Sequence, residues 1–109
     1  MTQSNITRGI DHIGITVPDM EEATHFFKHV FHAKIAYDNM KPGNAPQAGP
    51  AAEKVSGIPK GAKAIHIRLL LIGRSATIEL FQFENTRHRE PLHANDYGLQ
   101  HMAAHLGAC

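Results

Sequence analysis

The stretch Gly9-Ile10-Asp11-His12-Ile13-Gly14-Ile15-Thr16-Val17-Pro18-Asp19 decides how this chain is read. Its residues alternate as a strand does: Asp11, Ile13, Ile15 and Val17 fall on one face, Ile10, His12, Gly14 and Thr16 on the other. Pro18 stops the strand, because it has no N–H to give to a ladder. Asp19, with Glu22 three residues later, opens a helix: the short carboxylate accepts from a free N–H of the first turn. The helix runs to about Phe31, and Ala23, Phe26, Phe27, Val30 and Phe31 recur along it as one apolar stripe. His25, Lys28, His29 and His32 lie away from the centre of that stripe and read as a solvated face.

Further on, Lys34 to Asp38 is a weaker strand. From Asn39 to Lys63 the chain carries four prolines and four glycines, Pro42, Pro46, Pro50, Pro59 and Gly43, Gly49, Gly57, Gly61, which forbid a long helix or a central strand. A loop of this length is either a lid or binding loop, or a disordered insertion. Ala64 to Ile72 and Ala76 to Phe83 are strands joined by a hairpin at Gly73-Arg74-Ser75. In the first, Ile65, Ile67, Leu69 and Leu71 share a face, and His66, Arg68, Leu70 and Ile72 share the other. In the second, Ile78, Leu80 and Gln82 oppose Thr77, Glu79, Phe81 and Phe83. Glu84 to Asp96 is polar and reads as a linker, and Leu99 to Leu106 as the opening of another strand. Gly98-Leu99-Gln100-His101-Met102 partly echoes Gly9-Ile10-Asp11-His12-Ile13.

Composition narrows the class. The chain has 109 residues, one domain by length, with 42% hydrophobic and 19% charged residues and a formal net charge of +1. That is a globular composition with a small stability margin, which pairing with a second copy would enlarge. Acids and bases are interspersed and no basic run occurs, so nothing points to nucleic acid or an anionic membrane. The segment Met1 to Asn5 has no signal pattern, and the longest apolar run, Leu69 to Ile72, is too short to cross a bilayer. The single cysteine, Cys109, reads as a spectator and fits a reducing cytoplasm.

The apolar helix stripe needs a partner, and the faces bearing Ile13, Ile15, Ile65, Ile67, Leu69, Ile78 and Leu80 supply it. The opposite side of the sheet then carries His12, His66, Arg68 and Glu79 beside Ile10, Leu70, Phe81 and Phe83. A few ionisable groups in apolar walls suit a ligand cleft. The same pattern is met by an exposed mixed face, or by one packed on a partner chain. Imidazole and carboxylate are suitable ligands for zinc, nickel, iron or manganese. His12 and Glu79 are far apart in sequence, so only the fold can bring them together.

Three separated segments resemble one family in the right order: Gly9 to Asp19, Phe26-Phe27, and Ala76-Thr77-Ile78-Glu79-Leu80-Phe81. They are similar to the first βαβββ module of the vicinal-oxygen-chelate proteins, the glyoxalase, bleomycin-resistance and extradiol-dioxygenase superfamily. The resemblance implies an α+β fold: a curved mixed sheet with one main helix on one face and a cleft on the other. It implies that His12 and Glu79 are metal ligands. Tyr97 to Ala103 is similar to the first strand of a second module, which would make His101 a further ligand. On this reading residues 8–84 form the module, 85–97 a linker and 98–109 the truncated start of a second module.

The function it implies is that of a metal-dependent lyase, isomerase or dioxygenase, acting on a small substrate chelated through vicinal oxygens. Glu79 would be the catalytic base, and His66, Arg68, Phe81 and Phe83 would contact substrate. Family members usually carry two modules, so a homodimer would complete the site. The alternatives are a metal-free binding module of the bleomycin-resistance kind, or an inactive remnant.

Overall fold

The structure, a computed structural model, describes residues 6–107. The readings made for Met1 to Asn5 and for Cys109 lie outside the described residues. Strand β1 (His12–Thr16) leads to helix α1 (Met20–Phe31), then β2 (Lys34–Met40), the short helix α2 (Pro50–Ser56), β3 (Lys63–Leu71) and β4 (Thr77–Glu84). The four strands form one mixed sheet in the order β1-β4-β3-β2. β1 runs parallel to β4, whereas β3 is antiparallel to both β4 and β2. This is the α+β arrangement expected, with one main helix against one face.

α1 begins where its cap chemistry places it. Asp19 has extended backbone angles and its Oδ1 accepts from the Glu22 N–H at 2.9 Å. Met20, Thr24 and Phe27 are its buried residues. The core they enter holds Leu70, Ile78 and Leu80, with Ile13, Ile15, Val17, Ala23, Phe31 and Ile72 packed around it. Gln82 belongs to the same side, since its Oε1 accepts from the Met20 N–H at 2.8 Å.

The helix ends on His32, which takes left-handed angles (φ 56, ψ 34), while the Ala33 N–H donates to the Phe27 carbonyl at 3.1 Å. A residue with a Cβ is strained there by about 1–2 kcal/mol. Glycine relieves that strain but costs about 0.5–1 kcal/mol of chain entropy. His32→Gly is therefore expected to raise stability by up to about 1 kcal/mol, read as a higher urea midpoint at unchanged m-value. Asn85 shares the left-handed backbone, but its side-chain amide donates to the Gly61 carbonyl at 2.8 Å. The same exchange at Asn85 gives no such gain, because the hydrogen bond is lost.

The sequence reading fails in two places. Leu99 to Leu106 is not a strand: among the described residues beyond Glu84 no strand forms. Residues 90–92 and 99–102 instead line a hollow of about 530 Å³ with Ile13 to Thr16. An alternating sequence becomes a strand only when a partner receives its N–H and C=O groups, and this segment passes the edge strand without pairing. The segment 41–62 forms no long helix, in keeping with its prolines and glycines. It holds α2, with Pro50 in the first turn where a missing N–H is harmless.

The second failure is the parity of β3. Arg68 pairs with Leu80 and Leu70 with Ile78, while Ile67 pairs with Phe81 and Leu69 with Glu79. Cross-strand partners share a face. His66, Arg68, Leu70 and Ile72 therefore lie on the helix side, and Ile67 and Leu69 lie on the other. The expectation that His66 and Arg68 stand beside Glu79 is corrected by this register. Every residue from His66 to Leu70 is buried except that Ile65 before them is partly so, and a strand covered on both faces offers no polar alternation to read.

Candidate functional site

The parallel pairing of β1 and β4 sets His12 opposite Thr77, Gly14 opposite Glu79 and Thr16 opposite Phe81. All of these turn away from α1, because Ile13 and Ile15 occupy the helix side. The fold thus brings together two residues 67 positions apart in the chain: His12 Nε2 lies 3.4 Å from Glu79 Oε1. The His12 side chain is 46% exposed and that of Glu79 16%. The carboxylate is sunk in the face while the imidazole stands at its open margin.

Asp11 completes the arrangement. Its Oδ2 lies 2.8 Å from His12 Nδ1 and accepts from it when that nitrogen carries the proton. The neutral tautomer so favoured leaves Nε2 with a free lone pair toward Glu79. The Asp11 hydrogen bond, then the Glu79 charge, raise the His12 pKa above its ordinary value, with partial desolvation opposing them.

Glu79 is also a wall of a hollow of about 470 Å³. The sheet contributes Gly14, Thr16, Ile67, Glu79, Phe81 and Phe83, and β2 contributes Asn39. Gln47, Ser56, Gly57, Ile58 and Pro59 come from the proline- and glycine-rich segment. The alternative of a binding loop is thus the one that the geometry favours for that segment. Phe81 and Phe83 stack with ring centres 6.1 Å apart and planes 18° apart, giving the hollow a flat apolar side. Gly14 leaves room for the ring: a Cβ there would stand 3.1 Å from Phe81, which would have to shift by a few tenths of an ångström.

His66 and Arg68 are engaged elsewhere. Arg68 Nε donates to Asp38 Oδ1 at 2.7 Å, and its Nη1 donates to Thr24 Oγ1 at 3.0 Å. The guanidinium also reaches both oxygens of Glu21 at 3.2 Å. His66 Nε2 lies 2.9 Å from the same Asp38 oxygen. Burial opposes the charge on Asp38, but the hydrogen bonds and charges of Arg68 and His66 outweigh it and hold its pKa below the ordinary value. This is a buried clasp between β2, β3 and α1, on the far side of the sheet from Glu79. Sequence reasoning missed Asp38, Glu21 and Thr24 altogether; the available signal was a carboxylate on a strand adjacent to a strand bearing Arg.

His101 does not join His12 and Glu79. Its Nδ1 lies 2.6 Å from Gln100 Oε1, and it lines the second hollow, beside β1. Among the described residues no three His, Cys, Asp or Glu side chains are grouped closely enough to hold a metal ion. His12 Nε2 and Glu79 are suitable donors, with the outer nitrogen of the histidine held by a carboxylate as metal-binding imidazoles usually are. They amount to part of a coordination shell. Likewise among the described residues, no helix is long and apolar enough to cross a membrane.

A βαβββ sheet with an imidazole and a carboxylate meeting on the face turned away from α1 defines a known class. The pattern of the Glyoxalase/Bleomycin resistance protein/Dioxygenase superfamily matches residues 9–107, and the chain belongs to that superfamily. It is similar to a 2-epi-5-epi-valiolone epimerase from an Actinomyces species, with 31% identity over 98 residues. The match covers 89% of this chain and 51% of the relative, so the chain spans about half the length of that protein. No solved structure matches the chain significantly.

Proposed function

We propose that this chain supplies half of a metal-assisted isomerase site, of the epimerase kind, acting on a small polyoxygenated substrate. The observation that carries the reading is the 3.4 Å approach of His12 Nε2 to Glu79 Oε1, a residue that lines a hollow of about 470 Å³. The likeness to an epimerase supports the isomerase branch over a dioxygenase.

His12 and Glu79 would hold a divalent ion: zinc, nickel, iron or manganese, since imidazole and carboxylate accept all four. Such an ion supplies Lewis acidity at two substrate oxygens. Phe81 and Phe83 give the substrate a flat apolar floor and keep water off one face. One Glu79 carboxylate would take the proton from the carbon next to a carbonyl, the protonated Glu79 of the second copy would deliver one to the opposite face and so invert the centre, and proton exchange with water would reset the two carboxyl groups. Two copies related by a two-fold axis would bring two His12 and two Glu79 to one site, completing the shell.

Elemental analysis of tag-free protein tests the reading. About half an equivalent of divalent metal per chain is expected, with loss in His12→Ala and in Glu79→Ala. Circular dichroism must show both variants folded. Folded protein that takes up none of the four ions overturns the proposal. It would favour the metal-free binding module, for which the apolar wall of Ile58, Ile67, Phe81 and Phe83 is the supporting observation.

A further inference from the structure

We infer that α1 carries a second, exterior transition-metal site, formed by His25 and His29, for a first-row cation of the copper(II), nickel(II) or zinc(II) kind. The two residues are four apart on one helix, which places their side chains one above the other on the same face. Both are exposed, and their rings lie with centres 5.8 Å apart and planes only 9° from parallel. Two imidazoles at this spacing on a helix are a chelating pair.

A cation with nitrogen bonds of about 2.0–2.1 Å spans ring nitrogens up to about 4 Å apart. Exposed rings with centres at 5.8 Å reach that separation by rotating about their side-chain bonds. Among the described residues neither imidazole is hydrogen-bonded or paired with a carboxylate, so no protein contact must be broken. Glu22, three positions before His25, adds a negative charge on the same side of the helix. Imidazole is a ligand that suits copper, nickel and zinc, and hard cations such as magnesium are not expected to bind.

This site is independent of the cleft. α1 packs on the face of Leu70, Ile78 and Leu80, whereas Glu79 and Phe81 occupy the other face of the sheet. A bound ion would tie two successive turns of α1 together and stabilise the folded state by mass action.

Copper(II) titration followed by electron paramagnetic resonance tests the inference on the wild type, His12→Ala, His25→Gln, His29→Gln and the double variant His25→Gln/His29→Gln. A spectrum with two nitrogen ligands is expected in the wild type and in His12→Ala. Once one imidazole is bound, the second engages intramolecularly, so each single glutamine variant is expected to bind about 10²-fold more weakly. The double variant should lose no more than either single one. Copper should raise the melting temperature of His12→Ala and leave that of His25→Gln/His29→Gln unchanged. The inference fails if the double variant keeps the two-nitrogen signal. It fails equally if each single substitution only halves the number of weak sites, for then the imidazoles act separately. Either result leaves the cleft proposal standing, because that one is read from His12 and Glu79.

Discussion

Arg68→Met is expected to lower the unfolding free energy by about 3–5 kcal/mol at neutral pH, the cost of stranding a buried charge. The Arg68 side chain is 9% exposed and that of Asp38 13%, so water barely reaches the pair. Methionine keeps the bulk of the stem but removes the donors to Asp38, and His66 alone remains beside that carboxylate. The bond to Glu21 adds little, since that side chain is 75% exposed and solvent screens it.

The pH dependence gives a second readout. In the wild type, Asp38 has a lowered pKa. Its contribution is therefore present above the unfolded carboxylate value and lost as pH falls through the lower folded value. In Arg68→Met, burial remains and the main opposing partner is gone, so protonation of Asp38 relieves strain. The gap between the two proteins in urea denaturation should narrow from pH 7 to pH 4. Asp38→Asn/Arg68→Met should recover part of the loss, because a neutral amide replaces the stranded carboxylate. A loss under about 1 kcal/mol for Arg68→Met would place the pair among exposed bridges and sink the account of the clasp.

Glu79→Gln is expected to reduce turnover by about 10²–10⁴-fold, the usual contribution of a positioned acid or base. Glutamine preserves shape and one acceptor oxygen but cannot take up the proton. Under the isomerase function proposed above, and with the compound in the relative's name, 2-epi-5-epi-valiolone, as probe, wild-type protein in deuterium oxide should exchange one carbon-bound hydrogen while inverting a centre, and Glu79→Gln should be slowed in both. Glutamine nearly matches glutamate in volume, so the fold should persist in the variant. Unchanged exchange in Glu79→Gln would remove that carboxylate from proton transfer.

Much of this was legible in the sequence, for physical reasons that differ by element. The alternation in Ile13, Ile15 and Val17, closed by Pro18, leaves one reading of β1. Asp19 and Glu22 announce the start of α1 at the residue where it begins. β4 alternates cleanly between Ile78, Leu80 and Gln82 on one side and Glu79, Phe81 and Phe83 on the other. The meeting of His12 with Glu79 followed from those two parities once the strands were neighbours.

β3 gave no such guidance, because an interior strand is covered twice and both its faces read as apolar. Its alternation does not say which side His66 and Arg68 take. In fact Arg68 and His66 both meet the carboxylate of Asp38, 30 and 28 positions back in the chain, and no local pattern links them. The echo of His12 at His101 was real in sequence but did not produce a strand. Pairing is decided by what lies beside a segment.

The placement of β1 at the rim of the sheet has a mechanical corollary. Glu79 hangs from a strand bonded on both flanks, and His12 from one bonded on a single flank. Fraying would therefore detach the imidazole long before the body of the domain melts. Amide deuteration of Ile13 and Ile15 would report the integrity of the centre at temperatures where the hairpin of β3 and β4 is still closed. Conversely, an ion gripped by both side chains would act as a rivet, and slowed deuteration of those two amides would register its arrival.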